Sequence, residues 1–216
     1  FVKENETQKK FEITIYSLSS KKAKKNVKLQ NYQFCKYIYI SQISSFCIRV
    51  INKIFRTNIP NNRYYQKCVA KLINKQNYDY VIVENYPEFV LSLSSNKVIP
   101  YIHSDVFHKD IEKAKEILSS CYKVITVSDY IKNRVIEIDK NAKNKVFTVY
   151  NSIDFEELKE NTINNYRKSI RKKYNIEDND FVYAFAGRLS KEKGPLELIK
   201  AFNKINVPNK KLLIIG

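Results

Sequence analysis

The sequence predicts an α/β fold built on parallel sheets and divided into two domains. Three observations carry that prediction. Short apolar runs of strand length recur at 78–83, 98–102, 122–127, 146–149, 181–186 and 212–215. Stretches with apolar residues at helical spacing fall between several of these runs, as they do in strand–helix–strand units. A charged stretch at 155–177, carrying RKSIRKK at 167–173, then separates 1–154 from 178–216 and reads as a linker helix.

In chain order, Phe1 to Gln8 reads as the tail of a helix, and Phe11-Glu12-Ile13-Thr14-Ile15-Tyr16 alternates as a strand does. Lys21 to Lys28, KKAKKNVK, is a solvated loop or helix end, or else a patch for anionic lipid, where each basic residue contributes about 1 kcal/mol. Tyr37-Ile38-Tyr39-Ile40 is the next strand. Ile43 to Phe55 places Phe46, Val50, Ile51, Ile54 and Phe55 among Arg49, Lys53 and Arg56, an amphipathic basic helix expected to pack on the core, with acceptor or membrane contact as the alternative use. Asn61 to Lys75 continues as a helix with Tyr65, Val69, Leu72 and Ile73 inward.

Tyr78 to Val83 is a strong strand ending at Glu84-Asn85, and Val98 to Ile102 is another, ending at His103. Asp105 is expected to cap a helix running from His108 to Cys121. Tyr122 to Val127 leads into Ser128-Asp129, which caps a helix through Asp139. Val146 to Val149 closes the first domain and runs into Tyr150-Asn151-Ser152-Ile153-Asp154.

The second domain opens with the apolar run Phe181 to Ala186, broken by Gly187-Arg188. Gly194-Pro195 then starts a helix with Leu196, Ile199 and Phe202 on one face, and Leu212 to Ile215 ends at Gly216. The loop of this unit lies at the strand's C-terminal end, where open α/β sheets bind ligands. Its chemistry suits a diphosphate: Gly187 lets backbone come close, Arg188 offers a planar fork of donors, and Lys193 adds a point charge. A solvated basic loop would look the same in isolation. However, all three glycines of the chain fall within this one segment.

The order and spacing of Gly187-Arg188-Leu189, Lys193-Gly194, Leu198-Ile199-Lys200-Ala201-Phe202 and Leu212 to Gly216 resemble the donor-binding domain of family 4 glycosyltransferases. These are retaining, nucleotide-sugar-dependent enzymes of the GT-B fold, with two Rossmann-like domains. CYKVITVSDYIKNRV at 121–135 resembles a further family segment, with Tyr122-Lys123 where an acidic residue is common. Asn151 to Asp154 resembles the N-G-[IV]-D junction signature, with Ser152 in place of the glycine, where a positive φ would be less comfortable.

By that resemblance Arg188 and Lys193, with Gly187, hold the donor diphosphate. His103 is the catalytic candidate, a neutral imidazole able to hydrogen-bond a hydroxyl of the transferring sugar. Glu84, Asn85 and Ser128 are implied to line the cleft, and Asn151 and Asp154 to order the crossover between domains. Each has a plainer reading beside it: a solvated carboxylate, a structural histidine, a helix cap, an ordinary turn.

The implied reaction moves a sugar from a nucleotide diphosphate sugar, expected to be a UDP-sugar, to a hydroxyl of a glycan or lipid-linked acceptor in cell-surface polysaccharide synthesis. No cofactor and no metal are implied. The chain contains no methionine and is expected to be a fragment, with the family's first strand before Phe1 and its paired glutamates, E-x7-E, beyond Gly216. As such it is expected to be inactive alone. The alternative is a non-catalytic GT-B-like module that binds a nucleotide or a partner.

A formal net charge of +17 raises polyanions as partners. Nucleic acid is not expected, because zinc-finger spacing, an RNP-like strand and a heptad beside a basic region are all missing from the sequence. Part of the excess follows a Lys-, Asn- and Ile-rich composition of AT-rich bacterial type, and the remainder suits nucleotide diphosphates and an anionic membrane surface. Cys35, Cys47, Cys68 and Cys121 lack metal-ligand spacing and are expected as reduced core residues. Without a signal peptide or an apolar run near the ~20 residues of a membrane helix, a cytoplasmic protein, peripheral to the inner face of the plasma membrane, is expected.

Overall fold

The computed structural model describes residues 2–18, 32–40, 45–57, 63–153, 155, 156, 158, 159 and 166–216. The chain divides into two compact units, Phe1–Asn151 and Ser152–Gly216. The basic run Lys21 to Lys28 and the junction residue Asp154 lie outside the described residues.

The first unit opens with α1 (Val2–Gln8). Its buried Asn5 clamps the chain after the helix, donating from Nδ2 to the Phe11 carbonyl (2.8 Å) and accepting from the Phe11 N–H (3.0 Å). Strands β1 (Ile13–Leu18) and β2 (Cys35–Ile40) pair in parallel, from Ile13 opposite Cys35 to Leu18 opposite Ile40. Glu6 fixes the approach to β2 by accepting from the Gln33 and Phe34 N–H groups. Helices α2 (Ser45–Phe55) and α3 (Arg63–Ile73) follow.

A second sheet carries the core. Its strands β3 (Val81–Glu84), β4 (Val98–Ile102), β5 (Val124–Thr126) and β6 (Val146–Thr148) run parallel in the order β3-β4-β5-β6. Side chains alternate across it, with Val81, Val83, Val98, Ile102, Val124 and Val146 on the buried face. There they meet Ala114, Ile117 and Leu118 of α4 (Ile111–Ser120) and Ile131 and Val135 of α5 (Asp129–Ile138). Val69 and Ile73 of α3 belong to the same cluster. Full burial of a side chain such as Ile102 or Leu118 stabilises by about 1.5–3 kcal/mol. Pro100 has no N–H to give, and the β4–β5 pairing is limited to Tyr101 with Ile125 and Ile102 with Thr126.

Four expectations need correction. Asp105 does not cap the helix after β4. Phe107–Lys109 form a 3-10 turn, and α4 begins only at Ile111, capped by Asp110, which accepts from the Lys113 N–H (3.1 Å). Buried Phe107 anchors that turn, so the helix cannot start at His108. The described part of the α2 stripe, Val50, Ile51, Ile54 and Phe55, is not core: Ile54 is 66% and Phe55 70% exposed. On α3, Leu72 faces outward while Val69 and Ile73 are buried. No disulfide joins the four cysteines, all of them described; Cys121 is buried but Cys47 is exposed.

The second unit is a strand–helix–strand element preceded by α6 (Arg167–Lys173). The buried Arg171 guanidinium donates to the Glu177 and Asp180 carbonyls and so closes the turn into β7 (Phe181–Ala186). β7 pairs in parallel with β8 (Lys210–Ile215), from Phe181 opposite Lys210 to Ala186 opposite Ile215. The crossover is α7 (Pro195–Asn203), whose Phe202 ring meets Tyr183 of β7 edge-on at 5.6 Å. Among the described residues, no helix of either unit is long and apolar enough to cross a membrane.

Candidate functional site

In the first unit the candidate residues collect where the parallel strands end. Asn85, the first residue after β3, has φ +47°, a left-handed conformation that asparagine tolerates better than most side chains. Its N–H donates to the Tyr101 carbonyl (2.8 Å), and its Oδ1 accepts from the His103 N–H (3.3 Å). Asn85 thereby fixes the chain leaving β4 against the end of β3. The His103 ring sits 3.0 Å from Glu84 through Nε2 and Oε2. Glu84, Asn85 and His103 therefore form one bonded group.

Tyr101 joins this group and was not anticipated. Its ring centroid is 4.5 Å from that of His103, and its hydroxyl donates to the Val149 carbonyl (3.1 Å) and approaches Asn151 Oδ1 (3.4 Å). It thus connects His103 to Asn151 at the end of the unit. The signal was available, since strand side chains two apart share a face, and Tyr101 is two before His103.

Ser128 stands after β5 as the cap of α5, accepting from the Ile131 N–H (3.3 Å). The neighbouring Asp129 carboxylate accepts from the Thr148 hydroxyl (2.5 Å) and the Tyr150 hydroxyl (2.8 Å), and these bonds hold its pKa below the usual carboxylate range. The same contact pushes the Tyr150 phenol up. An open depression next to Asn85 is lined by Tyr86, Glu88, Val106, Lys109 and Lys113, with Lys113 and Glu88 paired at 3.2 Å.

In the second unit the loop after β7 carries Gly187, Arg188 and Lys193. The Gly187 N–H continues the ladder to the Ile215 carbonyl (2.9 Å). A Cβ placed there would meet only the Phe185 ring at 3.5 Å, an ordinary contact, so packing within the chain does not demand glycine. Gly194 differs: its φ of +67° turns the chain into α7, with Pro195 as the first helical residue. Arg188 is 78% exposed and pairs with Glu192, one helical turn on. Lys193 lies in the 3-10 turn Lys191–Lys193 and makes no ion pair among the described residues. Ser190 Oγ is buried in this loop without a hydrogen-bond partner.

Ser152 does not adopt a positive φ, so the serine at that junction position is unstrained. Among the described residues, no group of three His, Cys, Asp or Glu side chains is placed to hold a metal ion.

Residues 166–216, which include α6, β7, α7 and β8, match the family Glycosyl transferases group 1. The parallel α/β architecture agrees with a Rossmann-like domain of that class. Among curated relatives, the chain is 32% identical over 168 residues to a Bacillus subtilis (strain 168) protein whose name, glycosyltransferase YtcC, is provisional; the match covers 71% of this chain and 40% of that protein. It is 28% identical over 194 residues to Spore coat protein SA of the same organism, covering 81% of this chain and 51% of the relative. An uncharacterized glycosyltransferase of Methanocaldococcus jannaschii, MJ1607, is 36% identical over 107 residues, 48% of this chain and 27% of that one. The chain thus spans about half, or less, of the length of these relatives.

Proposed function

We propose that this chain belongs to a retaining glycosyltransferase of family 4, which moves a sugar from a nucleotide diphosphate sugar, of the UDP class, to a hydroxyl of a glycan or lipid-linked acceptor. The observation that carries this is the coincidence of the family match with the β7–loop–α7–β8 unit, whose loop presents Arg188 and Lys193. Residues 178–216 then contribute to the nucleotide-sugar domain, and residues 1–154 are the acceptor side. In the reaction, the bond from the anomeric carbon to the diphosphate breaks, and the acceptor oxygen bonds to that carbon on the same face. The hydroxyl proton leaves with the diphosphate.

Arg188 and Lys193 would stabilise the charge building on the leaving diphosphate, electrostatic assistance worth about 3–4 kcal/mol per well-placed donor in enclosed sites. Arg188 must exchange Glu192 for phosphate, which costs little because an exposed pair of this kind contributes only about 0–1 kcal/mol. His103, held by Asn85, would hydrogen-bond a hydroxyl of the transferring sugar. A cell-surface product accords with the relative named a spore coat protein. The net charge of +17 and the exposed apolar residues of α2 accord with work beside an anionic membrane, on its cytoplasmic face.

The test is a titration of the 15N-labelled chain with uridine diphosphate at millimolar concentration, read by amide shifts. Signals of Gly187, Arg188 and Lys193 should move together, and Arg188→Ala with Lys193→Ala should weaken binding at least tenfold. Movement confined to other residues, or none at all, removes the basis of the proposal.

A further inference from the structure

The two histidines of the chain meet carboxylates through opposite ring nitrogens. His103 presents Nε2 to Glu84 Oε2 at 3.0 Å, whereas His108 presents Nδ1 to Asp105 Oδ1 at 2.6 Å. An ionised carboxylate can only accept hydrogen bonds, so the nitrogen facing it must carry the proton. From this geometry we infer that Glu84 is a positioning residue, which fixes His103 as its Nε2–H tautomer and leaves Nδ1 as a bare acceptor for a ligand hydroxyl. The inference rests on the proposed role of His103 beside the sugar and assigns that contact a direction.

Glu84 is not the sole constraint on the ring. Asn85 accepts from the His103 N–H, which sets the backbone from which the ring projects, and the Tyr101 ring lies against the imidazole. Tyr101 is in turn tied to Val149 and Asn151 through its hydroxyl. The imidazole is therefore held by its main chain, by one face and by one nitrogen. The chemical consequence concerns specificity. A bare nitrogen accepts from a hydroxyl, but it meets fluorine or a methyl ether lone pair to lone pair. A sugar carrying such a group in place of the contacted hydroxyl is rejected for want of a donor hydrogen.

The tautomer is readable on the free protein by long-range 1H–15N correlation of the imidazole nitrogens, recorded above the ordinary histidine titration range of ~6.5. With only two histidines present, His108→Gln assigns the His103 ring. Wild-type His103 should show a protonated Nε2 and a bare Nδ1, and His108 the reverse. Glu84→Ala should raise the Nδ1–H share of His103 several-fold and leave His108 unchanged. Glu84→Asp, too short to hold the same contact, should act in the same direction and serves if the alanine variant folds poorly. An Nδ1–H form dominating wild-type His103, or an unchanged tautomer ratio in both Glu84 variants, overturns the inference. Because no nucleotide enters this measurement, a failed uridine diphosphate titration would count against the proposed function while the tautomer result stood on its own.

Discussion

His103 and His108 are five residues apart, yet they sit in unlike surroundings. His103 follows β4 with one carboxylate partner, and the side chains of the pair are 34% and 65% exposed. His108, 24% exposed, belongs to a closed network. Asp105 accepts from His108 Nδ1 (2.6 Å) and from Arg134 Nε (2.8 Å), Arg134 also donates to Glu137 (2.7 Å), and Glu137 lies 4.0 Å from His108 Nε2. This network pins the loop after β4 to α5. His108, whose carboxylate partner also binds Arg134, is thus tied into the fold, whereas His103 pairs with a carboxylate that is itself mostly exposed. Each ring makes one hydrogen bond, so the connectivity of the carboxylate partner, and not a count of bonds, separates the two histidines.

The largest expected effect comes from Asp105→Asn, which removes the charge and leaves one acceptor oxygen where the carboxylate offers one to Arg134 and another to His108. A loss of about 2 kcal/mol in a urea unfolding curve is expected, within the range for hydrogen bonds to charged groups. The pH dependence sharpens the point. Burial pushes the Asp105 pKa up, but the hydrogen bonds from Arg134 and His108 outweigh it and hold the carboxyl below its ordinary range. A lowered folded value means that the stabilisation is fully present above the unfolded value of ~3.9 and disappears as pH falls through the folded one. Wild type should therefore lose stability below about pH 4 more steeply than Asp105→Asn. Equal slopes would show that Asp105 does not anchor the network.

His108→Gln should cost less, about 1 kcal/mol, because Asp105 keeps Arg134. The smallest changes belong to the other histidine. Glu84→Ala and His103→Ala should each stay within about 0.5 kcal/mol of wild type, as exposed pairs do. A loss as large as that of His108→Gln would make His103 equally structural and erase the contrast.

Much of the fold was legible because its signals are local. β4 runs Val98–Ile102 and β7 runs Phe181–Ala186, the limits that their apolar runs suggest. Ser128 caps α5 as its position before a helical pattern indicates, and Gly194-Pro195 opens α7. The start of the helix after β4 is not legible in the sequence, because Asp105 and Asp110 both have cap chemistry and only the burial of Phe107 selects the later one. On α2, helical periodicity was correct, but the expectation that its apolar face is covered was not, since periodicity specifies a face without specifying a neighbour. For Tyr101 the strand face shared with His103 is a local signal, but its tie to the end of the unit is not. Its partners lie forty-eight and fifty residues further on.

The sequence by itself determined which stretches form strands and helices, where most of them stop, and which loop residues carry cations, glycine or imidazole. Periodicity, capping and backbone freedom act over a few residues and can be read from them. Only the tertiary structure decided that Glu84 meets His103 through Nε2, that Tyr101 reaches Asn151, and that Asp105 serves Arg134 rather than a helix end. Those contacts follow from the side-by-side order and register of β3, β4, β5 and β6, which join residues distant in the chain and leave no mark in any local pattern.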